Sequence, residues 1–417
     1  MQRRQFLRRN LSGMIAGLSA STAATLPLTA LLSACGGGSS GGNEAVSAKN
    51  SYKVTNLVAN SAKYKPLILE PDMIDAWGIA IRPAGAGGHF WVTASGGSFE
   101  YVGDVNGKPL YADDLSLVTL PPSAGIEGDD AVGAGNGVVF NGSTNFVITQ
   151  DHAKGAITAP AKFFFVSDNG VLSAWTERKN SDGSFDRPLE ALTILDDGGA
   201  GGSFFGLAIN PAQNKLFIAD FGANPRVRVL NAARQEEPLN GRFKNPFLAA
   251  SGFKPGDLVC WNLQTVTYGN STSVFATYVN TSVDAAGALV PASEDAGRGK
   301  GRLVEYTADG AFVAVWDDRG VLNGPWGVVA TPANFGSFSN QLIVANFTDG
   351  RLTAFDPVKK AATEHLRDAK GDILLLEGVW ALLFGNGVSL GDSNAMYFAA
   401  GPAAEADGVF GSVRYAG

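Results

Sequence analysis

After residue 50 the chain writes its apolar residues in short runs, rich in β-branched and aromatic side chains and bounded by Gly, Asn, Asp or Pro. One phrase heads successive groups of these runs. It reads "DAWGIAI" (75–81), "GNGVVF" (135–140), "SFFGLAI" (203–209), "VCWNLQTV" (259–266), "NGPWGVV" (323–329) and "EGVWALLF" (377–384). Aligned on Gly78, Gly137, Gly206, Asn262, Gly327 and Ala381, the copies stand 59, 69, 56, 65 and 54 residues apart. Self-similarity at such a period marks a repeat architecture. A second run follows each phrase: 89–95, 145–150, 215–221, 273–279, 341–347 and 395–401. A third often follows that, at 171–176, 226–231, 302–307, 351–356 and 411–416. Short runs of this composition between turn formers predict strands, and no long helical periodicity competes with them.

Three or four antiparallel strands per unit, repeated six times over residues 52–417, predict an all-β fold, a six-bladed β-propeller. Strict alternation along a strand would set Trp77, Ile79 and Ile81 on one face and Gly78 and Ala80 on the other. It would likewise set Phe205, Leu207 and Ile209 against Gly206 and Ala208. A bulky face then meets a small face of the next blade near the crowded axis. On this reading Trp77, Gly78, Gly206, Trp326, Gly327 and Trp380 are packing residues of the repeat. The last unit lacks an outer strand. "YKVTNLVA" (52–59) is expected to supply it, pairing with the C-terminal blade and removing the open edges.

Composition agrees: 53 Gly and a charged fraction of 17% suit a strand-rich, turn-rich protein. The net charge of −7 argues against a nucleic-acid partner. Three His and two Cys leave little for a His/Cys metal site.

The first residues carry an address. Arg3-Arg4-Gln5-Phe6-Leu7 resembles the twin-arginine export motif, with Arg3, Arg4, Phe6 and Leu7 as its matching positions. The stretch after it is too rich in Ser, Thr and Gly for a retained span. It ends at Leu32-Ser33-Ala34-Cys35, which resembles a bacterial lipobox with Cys35 as the lipidated thiol. The expected organisation is an export signal at 1–34, a Gly/Ser-rich tether at 35–51 and the propeller at 52–417. Cleavage removes four arginines and no acid, taking the net charge from −7 to −11. The resemblance implies a lipid-anchored protein of the bacterial cell envelope, facing the periplasm or carried on the outer membrane. The Gly37-x-Ser39-x-Gly41 match has no strand before it and no helix after it, so it is no nucleophile elbow.

"KLFIADFGANPRVRVLN" (215–231) resembles an NHL repeat, and "QLIVANFTDGRLTAFD" (341–356) is a looser copy. That pattern implies intra-blade hydrogen-bonding and turn roles for Asp220, Asn224 and Arg226. The order of phrases along the mature chain resembles a family of uncharacterised secreted bacterial six-bladed propellers, which brings no activity with it. Blade four departs from the pattern where Cys260-Trp261-Asn262 replaces a Gly-bearing phrase.

Polar residues precede the phrases: Asp75, Asn136, Asp257, Asn323 and Glu377. "EGVW" and "NGPW" resemble the strand entries of the gluconolactonase and senescence-marker-protein class. That resemblance implies a divalent-metal site of Asp75, Asn323 and Glu377 at the channel mouth, suited to Ca²⁺ or Mg²⁺ and to lactone or ester hydrolysis. The competing reading is that Asp and Asn simply make turns there. No residue stands out as a general base, and catalytic residues are not identified. The leading expectation is a binding or scaffold module for a protein, peptide or glycan partner, with a metal-dependent hydrolase as the alternative. His89, His152 and His365 read as surface residues, and Cys260 as a buried free thiol. The stretches 282–301 and 127–136 read as loops.

Overall fold

Each recurring phrase becomes the innermost strand of an antiparallel sheet. The computed structural model describes residues 49–248, 253–254, 256–283, 289–295 and 297–417. The export signal, with Arg3, Arg4, Phe6 and Leu7, and the lipobox Cys35 lie outside the described residues. Blade one runs Ile79–Ala80, Phe90–Ala94, Gly97–Tyr101 and Leu117–Thr119. Blade two runs Gly135–Phe140, Phe163–Ser167, Val171–Trp175 and Leu192–Asp196. Blade three runs Phe204–Ile209, Lys215–Asp220, Arg226–Asn231 and Glu236–Glu237. Blade four runs Leu258–Tyr268, Ser271–Val283, Gly301–Thr307 and Phe312–Trp316. Blade five runs Pro325–Ala330, Leu342–Asn346, Leu352–Asp356 and Ala361–His365. Blade six runs Val379–Phe384, Ala395–Ala400 and Val409–Tyr415, and its outer strand is Tyr52–Ala59.

The ring is six-bladed and closes as the sequence predicts. Tyr52 lies opposite Tyr415 and Ala59 opposite Val409 in an antiparallel ladder with one bulge at Leu57. Ile68–Leu69 then adds a short parallel strand outside it. The inner strand of each blade touches that of the next, and blade six touches blade one. The buried residues divide accordingly into seven clusters. Six fill the interfaces between neighbouring blades, and the seventh lies on the axis.

Three expectations about the strands are corrected. The run 145–150 is not the second strand of blade two. Val147–Gln150 pairs with Ile157–Pro160 in a separate hairpin, and "FFFVS" (163–167) takes the place in the blade. That insertion, with the small hairpin Arg178–Lys179 and Phe185–Asp186, explains why this repeat is the longest. The stretch 282–301 is not wholly loop: Leu289–Asp295 pairs with the end of Ser271–Val283 and lengthens the blade-four hairpin. The third correction concerns the face on which the phrase aromatics lie, and it builds the site.

Candidate functional site

Strict alternation fails at the phrase because every inner strand carries a bulge there. The ladder slips between Phe204 and Leu207, Cys260 and Asn262, Pro325 and Val328, and Val379 and Leu382. Blade two slips opposite Asn136-Gly137, and in blade one Trp77 N–H and Gly78 C=O both bond Thr93. A bulge re-aims a side chain. Ile79 accordingly packs between blades six and one, and Leu207 between blades two and three. Trp77 and Phe205 turn inward to the axis.

Five of the six phrase positions are aromatic, and they meet across the axis as a buried plug of Trp77, Phe205, Trp261, Trp326 and Trp380. Trp380 is stacked between Trp77, at 3.5 Å between centroids, and Phe347, at 3.7 Å. Trp326 stands edge-on to Trp77 at 5.0 Å, Trp380 at 5.3 Å and Trp261 at 5.5 Å. Such pairs contribute about 0.5–1.5 kcal/mol each beyond the area they bury. The channel is therefore stopped at the end where the inner strands begin.

The glycine after Trp77, Phe205 and Trp326 lets the strands approach. A Cβ on Gly78 would lie 2.3 Å from Asn136 O, and one on Gly206 would lie 2.4 Å from the Asn262 Cα. A Cβ on Gly327 would lie 2.6 Å from Trp380 O. In blade four Asn262 takes the glycine position. Its amide donates to Trp326 O at 3.0 Å, while Gln264 accepts from Val328 N–H at 3.0 Å. Side-chain amides thus stitch the interface that the missing glycine would have closed.

Beyond the plug the channel is a blind cup of about 200 Å³, opening where the inner strands end. Its wall holds the aliphatic Ile79, Val138, Leu207 and Leu383 and the polar Asn262, Gln264 and Thr265, and no titratable side chain among the described residues lines it. The sixth phrase position, Asn136, is the exception to the aromatic set. It is fully buried and borders the cup. Its Nδ2 donates to Phe204 O at 2.9 Å, while its Oδ1 has no partner among the described residues. Buried polar atoms are rarely left so. The sequence placed Asn136 among the turn formers. Its signal was its register: it stands where the other copies carry a ring.

The three residues expected at a metal mouth lie where the inner strands begin, outside the plug. Asp75 Oδ1 accepts from Trp380 Nε1 at 3.3 Å. Asn323 Oδ1 accepts from Gly297 N–H at 2.8 Å, and Glu377 Oε1 from Ala403 N–H at 2.9 Å. One oxygen of each thus accepts from a protein donor. Among the described residues no three His, Cys, Asp or Glu side chains gather as a metal cluster.

Asp220 accepts from Ser203 N–H at 3.2 Å and Gly222 N–H at 3.1 Å, and Arg226 approaches it at 3.4 Å. The residue the sequence reading missed is Arg228. It is buried, bonds Asp220 at 2.9 Å, pairs with Asp197 and lies over the Phe204 ring. Cys260 is a buried free thiol whose pKa burial pushes up. His89 corrects the surface reading: it is buried and contacts Asp113 at 2.7 Å. Burial holds its pKa below the ordinary imidazole value against the pull of that carboxylate. His365 is half-buried beside Thr353, at 3.1 Å.

No family model matches the chain. One uncharacterised protein of Acanthamoeba polyphaga mimivirus is 26% identical over 369 residues, covering 88% of this chain and 81% of its own length. A second from the same virus is 25% identical over 311 residues, covering 73% and 71%. These relatives have no stated activity, and as viral proteins they give no support to a bacterial source. Among solved structures, a glucose dehydrogenase is 14% identical with a TM-score of 0.45, covering 86% of this chain and 99% of its own. A virginiamycin B lyase from Staphylococcus aureus is 9% identical with a TM-score of 0.39, covering 87% and 99%. Likenesses of this strength carry no activity to this chain, and its six-bladed arrangement stands on its own sheet topology.

Proposed function

We propose that this chain is an exported, lipid-anchored binding module of a bacterial envelope whose pocket is the blind cup of the channel. The ligand is a small uncharged body, or a projecting group of a protein, peptide or glycan partner, with an apolar surface and one hydrogen-bond donor. The unpartnered Asn136 Oδ1, in a wall of aliphatic side chains together with Asn262, Gln264 and Thr265, carries this reading. A donor from the ligand satisfies that oxygen, and a site of this kind rejects an isostere that lacks the donor. The cup, at about 200 Å³, is smaller than the roughly 300–1,000 Å³ of drug-sized sites, so it suits a single ring or side group. Among the described residues its lining holds amides and apolar groups without an acid or base, which favours binding in the cup. The export and anchoring part rests on Arg3, Arg4, Phe6, Leu7 and Cys35 in the leader.

Calorimetric titration of the full-length chain with cyclohexanol and with methylcyclohexane tests the pocket. Cyclohexanol is expected to bind, methylcyclohexane to bind at least about tenfold more weakly, and Asn136→Ala to abolish the difference. Equal binding of the two would remove the assignment, and turnover of a lactone or ester panel with Ca²⁺ or Mg²⁺ would replace it with the hydrolase. For the anchor, Cys35→Ser is expected to move the protein from the membrane pellet to the soluble envelope fraction. Unchanged sedimentation would overturn it.

A further inference from the structure

A second cavity, of about 370 Å³, lies on the rim where the inner strands end, at the seam of blades five, six and one. Its chemistry is the opposite of the cup's. It is lined by Asn106, Asn334, Asp392, Asn394, Arg414 and Tyr415, with little apolar wall. Four separate chain segments supply these residues. Asn106 follows the third strand of blade one, Asn334 the inner strand of blade five, and Asp392 and Asn394 the inner strand of blade six. Arg414 and Tyr415 end the third strand of blade six.

The charged groups here are already matched. Arg414 Nη2 donates to Asp104 Oδ2 at 2.7 Å and to Asp392 Oδ2 at 3.2 Å. Asp392 Oδ1 accepts from Asn106 N–H at 3.1 Å, which fixes the plane of that carboxylate. An anion entering the cavity finds its guanidinium held by two carboxylates, and a cation finds Asp392 paired. Around this base, one guanidinium between two carboxylates, stand three exposed carboxamides, of Asn106, Asn334 and Asn394, each offering two donors and an acceptor. Tyr415 completes the wall. Its ring rests on Gly336, where a Cβ would lie 2.3 Å from Cδ2, so the absence of a side chain there seats the aromatic.

We infer that this cleft is a saccharide-binding site, independent of the axial cup. A sugar hydroxyl donates and accepts at once, and amides beside carboxylates already bonded to a guanidinium answer both demands. The C–H face of a sugar ring is apolar and packs on an aromatic face such as that of Tyr415. The volume falls within the range of about 300–1,000 Å³ usual for small-molecule sites.

The test is saturation-transfer NMR and calorimetry on the full-length chain. The probes are glucose, galactose, N-acetylglucosamine and cellobiose, with inorganic phosphate as the charged control. At least one sugar is expected to bind with a Kd on the order of 1 mM. The double substitution Asn334→Ala, Asn394→Ala is expected to weaken it by about tenfold or more. Both residues are exposed, so the unfolding midpoint should stay where it is. Tyr415→Leu should remove saturation transfer to the sugar C–H protons. Cyclohexanol should not displace the sugar, which keeps this result separate from that of the cup. No sugar binding, sugar binding that survives the double substitution, or phosphate binding in its place would each overturn the assignment.

Discussion

A single methyl group measures how close the inner strands come at the axis. Gly206 faces the Cα of Asn262 and the backbone nitrogen of Leu263, neither of which can swing aside as a side chain can. Gly206→Ala is expected to cost about 1–3 kcal/mol as overpacking, read as a lower urea midpoint. A midpoint equal to the parent's would show that the ring has slack there. The buried carboxylates supply a second test. Glu305 and Glu100 both sit on third strands, in blades four and one. Burial works against the charge of Glu305, but Lys360 at 2.7 Å, Tyr268 at 2.6 Å, Trp316 at 3.0 Å and Ser273 at 2.9 Å outweigh it and lower its pKa. Glu100 is fully buried, and burial outweighs the pull of the neighbouring Ser98 hydroxyl and pushes its pKa well above the ordinary value. The unfolded chain releases this proton near pH 4.3 or so, while the folded chain keeps it to higher pH. The stability it contributes is therefore whole below that value and lost as pH rises towards the folded pKa. The loss approaches about 1.4 kcal/mol per pH unit. Glu100→Gln should flatten this fall, seen by comparing urea midpoints at pH 5 and pH 8. An unchanged pH profile would mean that Glu100 is ionised in the fold.

Among the elements, the strand Tyr52–Ala59 has the largest structural consequence. It covers the free edge of Val409–Tyr415 and buries Leu57, Val58 and Ala59 in the clusters on either side of blade six. Tyr52 OH also donates to Phe335 O at 2.8 Å, tying the strand to blade five. Removing residues 52–59 exposes that edge and uncovers apolar surface on both faces, the condition for edge-to-edge association. The truncated chain is expected to elute as aggregate in size-exclusion chromatography. A monodisperse truncated chain would show that blade six holds without its outer strand. The strand was legible because a strand-like run ahead of the first repeat and the missing partner in the last repeat pointed to each other. The second strand of blade two was not. "NFVITQ" and "FFFVS" are both good strands by composition, and only their partners decide which one joins the blade.

At the scale of the whole molecule, the repeat gives a ring whose axis is closed at one end and open at the other. The number of blades, the first strand of each, the closing strand and the packing role of the Gly positions follow from local composition and spacing, because strand propensity and a period of about sixty residues are properties of the chain itself. The direction of the phrase aromatics does not follow, because a bulge arises from pairing with the neighbouring strand and one slipped residue changes the face a side chain occupies. For the same reason the sequence assigned Trp77 to a blade face and Asn136 to a turn, whereas the fold brings the first into the axial plug and the second to the wall of the cup. The rim cleft was invisible for a stronger reason. Asn106, Asn334, Asn394 and Arg414 lie up to 308 residues apart, and no local pattern links them. Only the packing of blade six between blades five and one makes them neighbours.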